Sequence, residues 1–316
     1  MQTRKLGDSD LKITPLGIGT WAIGGPDGNY NWGPQDDEDS IRALHRAVEK
    51  GVNWIDTAPA YGRGHSEEVV GKALKGMPTR PYLFSKSSLI WGADRVITNC
   101  LKADSVRAEC EDSLRRLGVE ALDLWQIHWP NPDPDIEEGW AEMAKLKKAG
   151  KVRWIWVSNF TPAQMKRAQA IAPVTSLQPP YSALRRDIEA EILPFCGDNG
   201  IGVLVYSPMQ AGLLSGKMSR ERLQAMAPGD WRKRDDKFKE PQLTRNLALQ
   251  DLMGKIGAKH GHTAGVAALA WTLRRPEVTA AIVGVRSPGQ VDELVAAGDF
   301  RLSAAEIAEV ESFLAK

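Results

Sequence analysis

The chain has 316 residues, 42% of them apolar, a net charge of +1 and an isoelectric point near 7.7. That is material for one large domain or two ordinary ones, without the basic stripe of a nucleic-acid binder or a run of about 18 apolar residues for a membrane span. Three cysteines (Cys100, Cys110, Cys196) and five histidines show neither a disulfide framework nor metal-ligand spacing, which points to a reducing cytoplasm and no bound metal. The opening MQTRKLGDSD also lacks the apolar stretch of a signal peptide.

In chain order, a short hairpin is expected at residues 4–6 and 12–13, then a strand at 16–19. A helix at 39–50 starts on acidic residues, ends on lysine and stops at Gly51, as a capped helix should. Strand 53–56, helix 66–74, strand 83–86 and helix 104–117 follow, the last ending at Gly118. Then come strand 122–128, helix 137–149 before Gly150, and strand 153–158. Thr161-Pro162 reads as an N-cap with proline in the first turn. Strand 176–178, helix 186–198 and strand 202–206 come next. A long insert, roughly 209–275, holds a charged part (230–240) and helices at 242–259 and 263–274, before a last strand at 281–284. His260 and His262 flank Gly261 at an expected helix end and read as solvated.

The strands are short and rich in Ile, Val, Leu and Trp, as parallel strands buried on both faces are. Eight of them interleaved with helices fit an open doubly wound sheet or a closed (β/α)8 TIM barrel. Length favours the barrel, with an N-terminal β-hairpin and added helices after strand 7, and no break in composition divides residues 1–316 into domains.

Barrel chemistry sits at the C-terminal ends of strands. Here the second strand ends at Asp56, the third at Lys86 and the fourth at His128, with Tyr61 in the loop after the second. Taken singly, Asp56 reads as a cap or turn residue, Lys86 as a loop lysine, His128 as a structural histidine and Tyr61 as packing. Their delivery to one rim by adjacent strands is what makes them a candidate site. Trp21, Tyr30, Trp32, Trp91 and Trp129 lie beyond strand ends or in the loops above, and suggest an aromatic substrate pocket. Trp54, Trp154 and Trp156 lie inside strands and read as core.

Two motifs fail on context. GIGTWA (17–22) matches a dinucleotide fingerprint, but AIGGPDGNYNWGP follows it, too rich in glycine and proline to open the required helix. GLLSGKM (212–218) lacks the first glycine of a P-loop, and Met218 stands where Ser or Thr should hold magnesium.

DTAPAYG, SK at the third strand end, LDLWQIHWP, WVSNF, VYSPM with GLLSGK, and IVGVRSPGQVDEL together resemble the aldo-keto reductases, most of all their bacterial and potassium-channel-β-subunit-like branches. The resemblance spans essentially the whole chain. It implies a catalytic tetrad of Asp56, Tyr61, Lys86 and His128 and an NADP(H)-dependent reduction of aldehydes and ketones. Tyr61 would be the acid, with its pKa lowered by the Lys86 ammonium. Lys86 would be held by Asp56, and His128 would donate to the carbonyl oxygen. The resemblance also implies cofactor residues. Ser158, Asn159 and Gln178 would bond the carboxamide and Tyr206 would stack on the nicotinamide. Ser207, Pro208, Met209, Gly212, Leu213, Ser215 and Lys217 would wrap the pyrophosphate. Arg286 would meet the 2′-phosphate and Gln290 and Glu293 would face the adenosine, with Gly284 also among the cofactor-binding residues. Leu294 departs from the asparagine many members carry there. The expected partner is a small carbonyl compound, with no nucleic acid or membrane, and a monomer is compatible with the sequence. Two other readings stand beside this one: a cofactor-binding regulatory subunit with low turnover, and a lyase using Lys86 as a Schiff base.

Overall fold

The structure is a computed structural model, and residues 1–27 and 32–316 are described. An antiparallel hairpin, β1 (Arg4–Lys5) and β2 (Lys12–Ile13), precedes a closed barrel of eight parallel strands. The first barrel strands are β3 (Leu16–Gly19), β4 (Trp54–Asp56) and β5 (Tyr82–Ser87). A second hairpin, β6 (Leu89–Trp91) and β7 (Ile97–Asn99), leaves the barrel directly after β5. The barrel continues with β8 (Leu122–Ile127), β9 (Val152–Ser158), β10 (Ser176–Gln178), β11 (Gly202–Val205) and β12 (Val278–Gly284). It closes by pairing Ala281–Gly284 with Leu16–Gly19, register Ala281↔Leu16.

The outer ring holds α1 (Asp37–Glu49), α2 (His65–Leu74), α3 (Ala103–Leu117), α4 (Ile136–Lys148), α5 (Pro162–Gln169) and α6 (Ile192–Asp198). The insert after β11 supplies α7 (Arg220–Ala225), α8 (Gln242–Ala258) and α9 (Ala264–Thr272). Helices α10 (Pro288–Leu294) and α11 (Ala304–Leu314) end the chain. Local chemistry sets the helix ends: Asp36 caps α1 by accepting from the Asp39 amide, and Thr161 forms a capping box with Gln164 at α5.

Two apolar layers hold the barrel. Outside it, Val69, Leu114, Met143, Leu193 and Trp271 pack helices on strands. Inside it, Trp54, Phe84, Leu124, Trp156, Leu204 and Ile282 fill the bore, and Leu6, Leu11 and Ile13 of the N-terminal hairpin join the same cluster. The rings interlock, with Trp54–Phe84 centroids 5.2 Å apart and Phe84–Trp156 5.5 Å apart. The glycines of GIGTWA take their meaning from this packing. A Cβ at Gly17 would come within 2.1 Å of the Trp54 ring, and one at Gly19 within 2.5 Å of the Ile282 side chain. They make room for the bore and do not form a phosphate turn.

Several expectations need correcting. The β6–β7 hairpin was not anticipated, although two apolar runs flank Gly92-Ala93-Asp94-Arg95. The helix expected at 186–198 is broken into a 3-10 turn, Asp187–Glu189, and α6. Pro194 lacks the N–H that would bond the residue 190 carbonyl and is tolerated in the first turn of a helix, so α6 starts afresh at Ile192 with Pro194 in that turn. Trp154 is only partly buried: its indole N–H donates to Asp10 (2.7 Å) and the Lys147 ammonium sits 4.0 Å from its ring. His260 is paired with Glu306 (2.6 Å) and packs on Phe300. Residues 230–240 form two 3-10 turns, Trp231–Arg234 and Asp236–Phe238.

Among the described residues no helix is long and apolar enough to cross a membrane, and no three His, Cys, Asp or Glu side chains gather around a metal-sized space. The three cysteines are free. Overpacking a filled core costs about 1–3 kcal/mol. Gly17→Ala is therefore expected to lower stability by at least that amount, read as a reduced urea midpoint with unchanged slope.

Candidate active site

Strands β4 and β5 run side by side in register, Trp54↔Tyr82 to Asp56↔Phe84, and β5 pairs with β8 through Lys86↔Gln126. This register brings Asp56 and Lys86 together at the C-terminal rim. Lys86 Nζ donates to Asp56 Oδ1 at 2.5 Å and to the Thr57 carbonyl at 2.9 Å. The two side chains are 0% and 2% exposed, so water takes almost no part in the pair. Burial acts on both partners, raising the Asp56 pKa and lowering that of Lys86, while each partner opposes the shift in the other.

Gln178 completes the pair. From the end of β10 its Nε2 donates to Asp56 Oδ2 at 3.0 Å. Both carboxylate oxygens are thereby engaged. Orienting the amide nitrogen toward Asp56 turns the side-chain oxygen, Gln178 Oε1, away from it. Beneath Lys86 lies a carboxylate that the sequence reading passed over. Glu67, 0% exposed on α2, accepts from Ser85 Oγ and from Arg116 Nε, each at 2.6 Å. Its charge helps hold Lys86 protonated. Ser66-Glu67-Glu68 reads as a helix start, and nothing in that motif says that Glu67 turns inward.

Tyr61 and His128 face this pair and keep some exposure. The Tyr61 ring centroid is 5.1 Å from Lys86 Nζ and 5.9 Å from the His128 ring. The expected lowering of the Tyr61 pKa is not found. Burial and the nearby Asp56 charge raise it well above 10, because Asp56 largely neutralises Lys86 at short range. Burial, helped by the Lys86 ammonium, pushes His128 well below its usual range and leaves the imidazole neutral at neutral pH. The site thus presents a protonated phenol and a neutral imidazole.

The residues expected around a cofactor form a second network. Ser158 Oγ donates to the Gln178 carbonyl (2.8 Å), and Asn159 Nδ2 donates to the His128 carbonyl and to Ser158 Oγ (both 3.0 Å). The Tyr206 hydroxyl donates to Asn159 Oδ1 at 3.0 Å. After β11 the chain runs through left-handed backbone at Ser207, Gln210, Ala211 and Gly212. Pro208 is buried, and Leu213 is anchored among Met218, Phe238 and Leu243, so these two hold the loop in place. Met209 is partly buried beside Gly265. Ser215, Gly216, Lys217 and Glu293 line one side of a cavity of about 570 Å³ against α8 and α9. Lys217 is ion-paired with Glu293.

Gly284 ends β12, and Arg286 lies two residues on. The Arg286 amide donates to Gln290 Oε1 at 2.7 Å. Among the described residues its guanidinium donates only to neutral oxygens, Gln35 Oε1 (2.6 Å), the Trp32 carbonyl (3.2 Å) and the Pro34 carbonyl (2.5 Å). Burial and a second guanidinium, Arg232, both lower its pKa. Leu294 is buried, 6% exposed, and serves the core.

Of the expected aromatic residues, Trp21 and Trp32 meet with ring centroids 5.4 Å apart. They are joined by Trp231 from the insert, 5.7 Å from each, with Arg232 4.9 Å from the Trp32 ring centroid. Trp231 lies far away in sequence, in a charged stretch that gave no signal. Trp129 is exposed and stacks beside His128 at 6.3 Å. Trp91 ends strand β6 of the second hairpin. Tyr30 lies outside the described residues.

A closed parallel barrel with its polar cluster at the C-terminal rim defines the class, a (β/α)8 barrel enzyme. The chain belongs to the aldo/keto reductase family, whose profile matches residues 15–315. It is 36% identical to the aldo-keto reductase YhdN of Bacillus subtilis (strain 168), over 99% of this chain and 94% of that protein. It is 34% identical to an NADH-specific methylglyoxal reductase of Escherichia coli (strain K12), over 97% and 96%. Among solved structures, the glycerol dehydrogenase AKR11B4 from Gluconobacter oxydans superimposes with a TM-score of 0.91 at 37% identity, covering 99% of this chain and 95% of that one. The chain is thus an oxidoreductase of carbonyl compounds, from a family that works with a nicotinamide cofactor.

The buried pair makes a stability prediction. Lys86→Met leaves Asp56 buried without a cation, a change that typically costs about 3–5 kcal/mol. An acid whose folded pKa lies above its unfolded value of about 3.9 costs more stability as pH rises past that value. The deficit of Lys86→Met is therefore expected to be larger at pH 8 than at pH 5. Adding Asp56→Asn should remove most of the pH dependence in paired denaturation curves.

Proposed function

We propose that the chain, acting as one barrel domain, is an NADP(H)-dependent reductase of aldehydes and ketones. Asp56, Tyr61, Lys86 and His128 are its catalytic residues. The observation that carries the reading is the sealed Lys86–Asp56 pair with a protonated phenol and a neutral imidazole above it. The nicotinamide cofactor, when bound, supplies the hydride. His128 donates an N–H to the carbonyl oxygen and orients the substrate. Tyr61 delivers the proton that the developing alkoxide needs. Lys86, close to the Tyr61 ring, stabilises the phenolate left behind, and Asp56 and Gln178 keep Lys86 in place. An aromatic wall of Trp21 and Trp32 suits apolar or aromatic carbonyl compounds.

The residues present fit the cofactor. The left-handed loop from Ser207 to Gly212, with Ser215 and Lys217, suits the pyrophosphate. Ser158, Asn159 and the outward oxygen of Gln178 suit the carboxamide, and the Tyr206 ring suits the nicotinamide face. Gln290 and Glu293 suit the adenosine. Arg286, just past Gly284, is a half-buried cation whose partners among the described residues are all neutral, with Arg232 nearby, which favours the 2′-phosphate of NADP(H).

The Schiff-base alternative fares poorly. Lys86 Nζ points at Asp56 and the Thr57 carbonyl, and its side chain is 0% exposed, so it cannot attack a carbonyl without breaking the pair.

Following NADPH and NADH oxidation against a panel of aldehydes tests the function, and no turnover with any of them would favour a regulatory, cofactor-binding role. Tyr61→Phe is expected to abolish reduction while NADPH binding, titrated by fluorescence, stays within about twofold. Full turnover in that variant would remove Tyr61 as the acid. A hydrogen bond to a charged group contributes about 1.5–3 kcal/mol. Arg286→Ala is accordingly expected to weaken NADPH binding roughly tenfold to hundredfold and leave NADH nearly unchanged, with the difference shrinking in high salt. Equal losses for both cofactors would assign Arg286 to loop support alone.

A further inference from the structure

The loop that carries Tyr61 is conformationally demanding. Gly62, Arg63 and Gly64 in succession have positive φ, of 65°, 51° and 96°. Left-handed backbone at a non-glycine residue such as Arg63 persists where its surroundings over-determine it. The backbone supplies part of that restraint. The Tyr61 amide donates to the Ala58 carbonyl (3.1 Å), and the Ser66 amide donates to the Tyr61 carbonyl (3.1 Å). The turn at Gly62 packs so closely on Gly24 that a Cβ on Gly62 would lie 1.9 Å from the Gly24 carbonyl oxygen. The phenol itself has no hydrogen bond among the described residues, so its place is set by the loop beneath it.

The remaining restraint comes from side chains on three loops. Arg63 Nη1 pairs with Asp27 Oδ1, in the segment after β3. Arg95 Nη2, at the tip of the β6–β7 hairpin, pairs with Asp27 Oδ2. Arg63 Nε and Nη2 also donate to the Arg95 carbonyl, at 3.1 and 2.6 Å. Arg95 has positive φ as well (61°), so one carboxylate joins two strained arginines. Among the described residues Asp27 is the only carboxylate either arginine pairs with.

We infer that Asp27, clamped between Arg63 and Arg95, is a positioning residue that fixes the Tyr61 loop and thereby the proton donor. The inference rests on Tyr61 being the acid. Removing Asp27 leaves two guanidiniums facing each other with no counter-charge, which opens the latch as well as loosening it.

The test uses the full-length enzyme with NADPH and the best aldehyde of the panel, comparing Asp27→Ala, Asp27→Glu and Arg95→Ala. A misplaced reacting group can cost up to about a hundredfold in rate. For Asp27→Ala we expect kcat to fall about tenfold to hundredfold, with NADPH affinity unchanged. The solvent deuterium isotope effect on kcat should rise, because proton delivery becomes slower. Asp27→Glu should recover part of the rate. If Asp27→Ala does not fold, Arg95→Ala, at an exposed hairpin tip, gives the same readouts with a smaller rate loss. An unchanged kcat and isotope effect would overturn the inference, as would a rate loss matched by lost cofactor affinity with no change in isotope effect. An inactive Tyr61→Phe beside a normal Asp27→Ala would sink the latch alone. A fully active Tyr61→Phe would sink the acid assignment on which it rests.

Discussion

Everything at the rim of this barrel is arranged around an ion pair that water does not reach. A lysine and a carboxylate in contact, both almost fully buried, lose most of their hydration. Such a pair persists only where the remaining hydrogen-bonding capacity is also filled. Here the Thr57 carbonyl and the Gln178 amide provide that filling, and one layer deeper Glu67, held by Ser85 and Arg116, adds a charge that favours the protonated lysine. These groups come from β4, β5, β10, α2 and α3. The pair therefore holds only if the parallel register of several strands is kept, and the chemistry at the rim and the closure of the barrel are one problem.

The same pair governs the two groups above it. A lone ammonium beside a phenol would make the phenol more acidic. Compensated by Asp56, Lys86 no longer does so in the resting site, and burial prevails. The result is a proton donor that keeps its proton until negative charge develops nearby. His128 is held neutral by the same low-dielectric surroundings and can donate a hydrogen bond without carrying a charge. Acidity in such a site follows from the balance of burial against neighbours, and a residue list alone cannot give that balance.

The sequence carried the barrel because hydrophobic runs and helix caps are local: β3, β10 and the Thr161 cap lie where periodicity and capping chemistry put them. It also carried the alignment of Asp56, Lys86 and His128 with strand ends. What stayed hidden was set by partners remote in the chain. The β6–β7 hairpin is tied down through Asp27, the inward turn of Glu67 depends on Arg116 of α3, and Trp231 reaches the mouth from an insert some 200 residues beyond Trp21 and Trp32. The helix break upstream of Pro194 was visible in principle, since proline suits the first turn of a helix and is disfavoured in its interior.

The three indoles at the mouth have a further consequence. Trp21, Trp32 and Trp231 lie 5.4 to 5.7 Å apart by ring centroids, one pair nearly stacked and the other two edge to face. Chromophores this close and held at fixed angles exchange excitation. Their combined circular dichroism in the near ultraviolet therefore depends on mutual orientation and not merely on the number of tryptophans. Because Trp231 comes from the distant insert, Trp32 from the segment bonded to Arg286 and Trp21 from the turn after β3, the protein carries a built-in optical gauge of how these loops sit against each other, readable without any label.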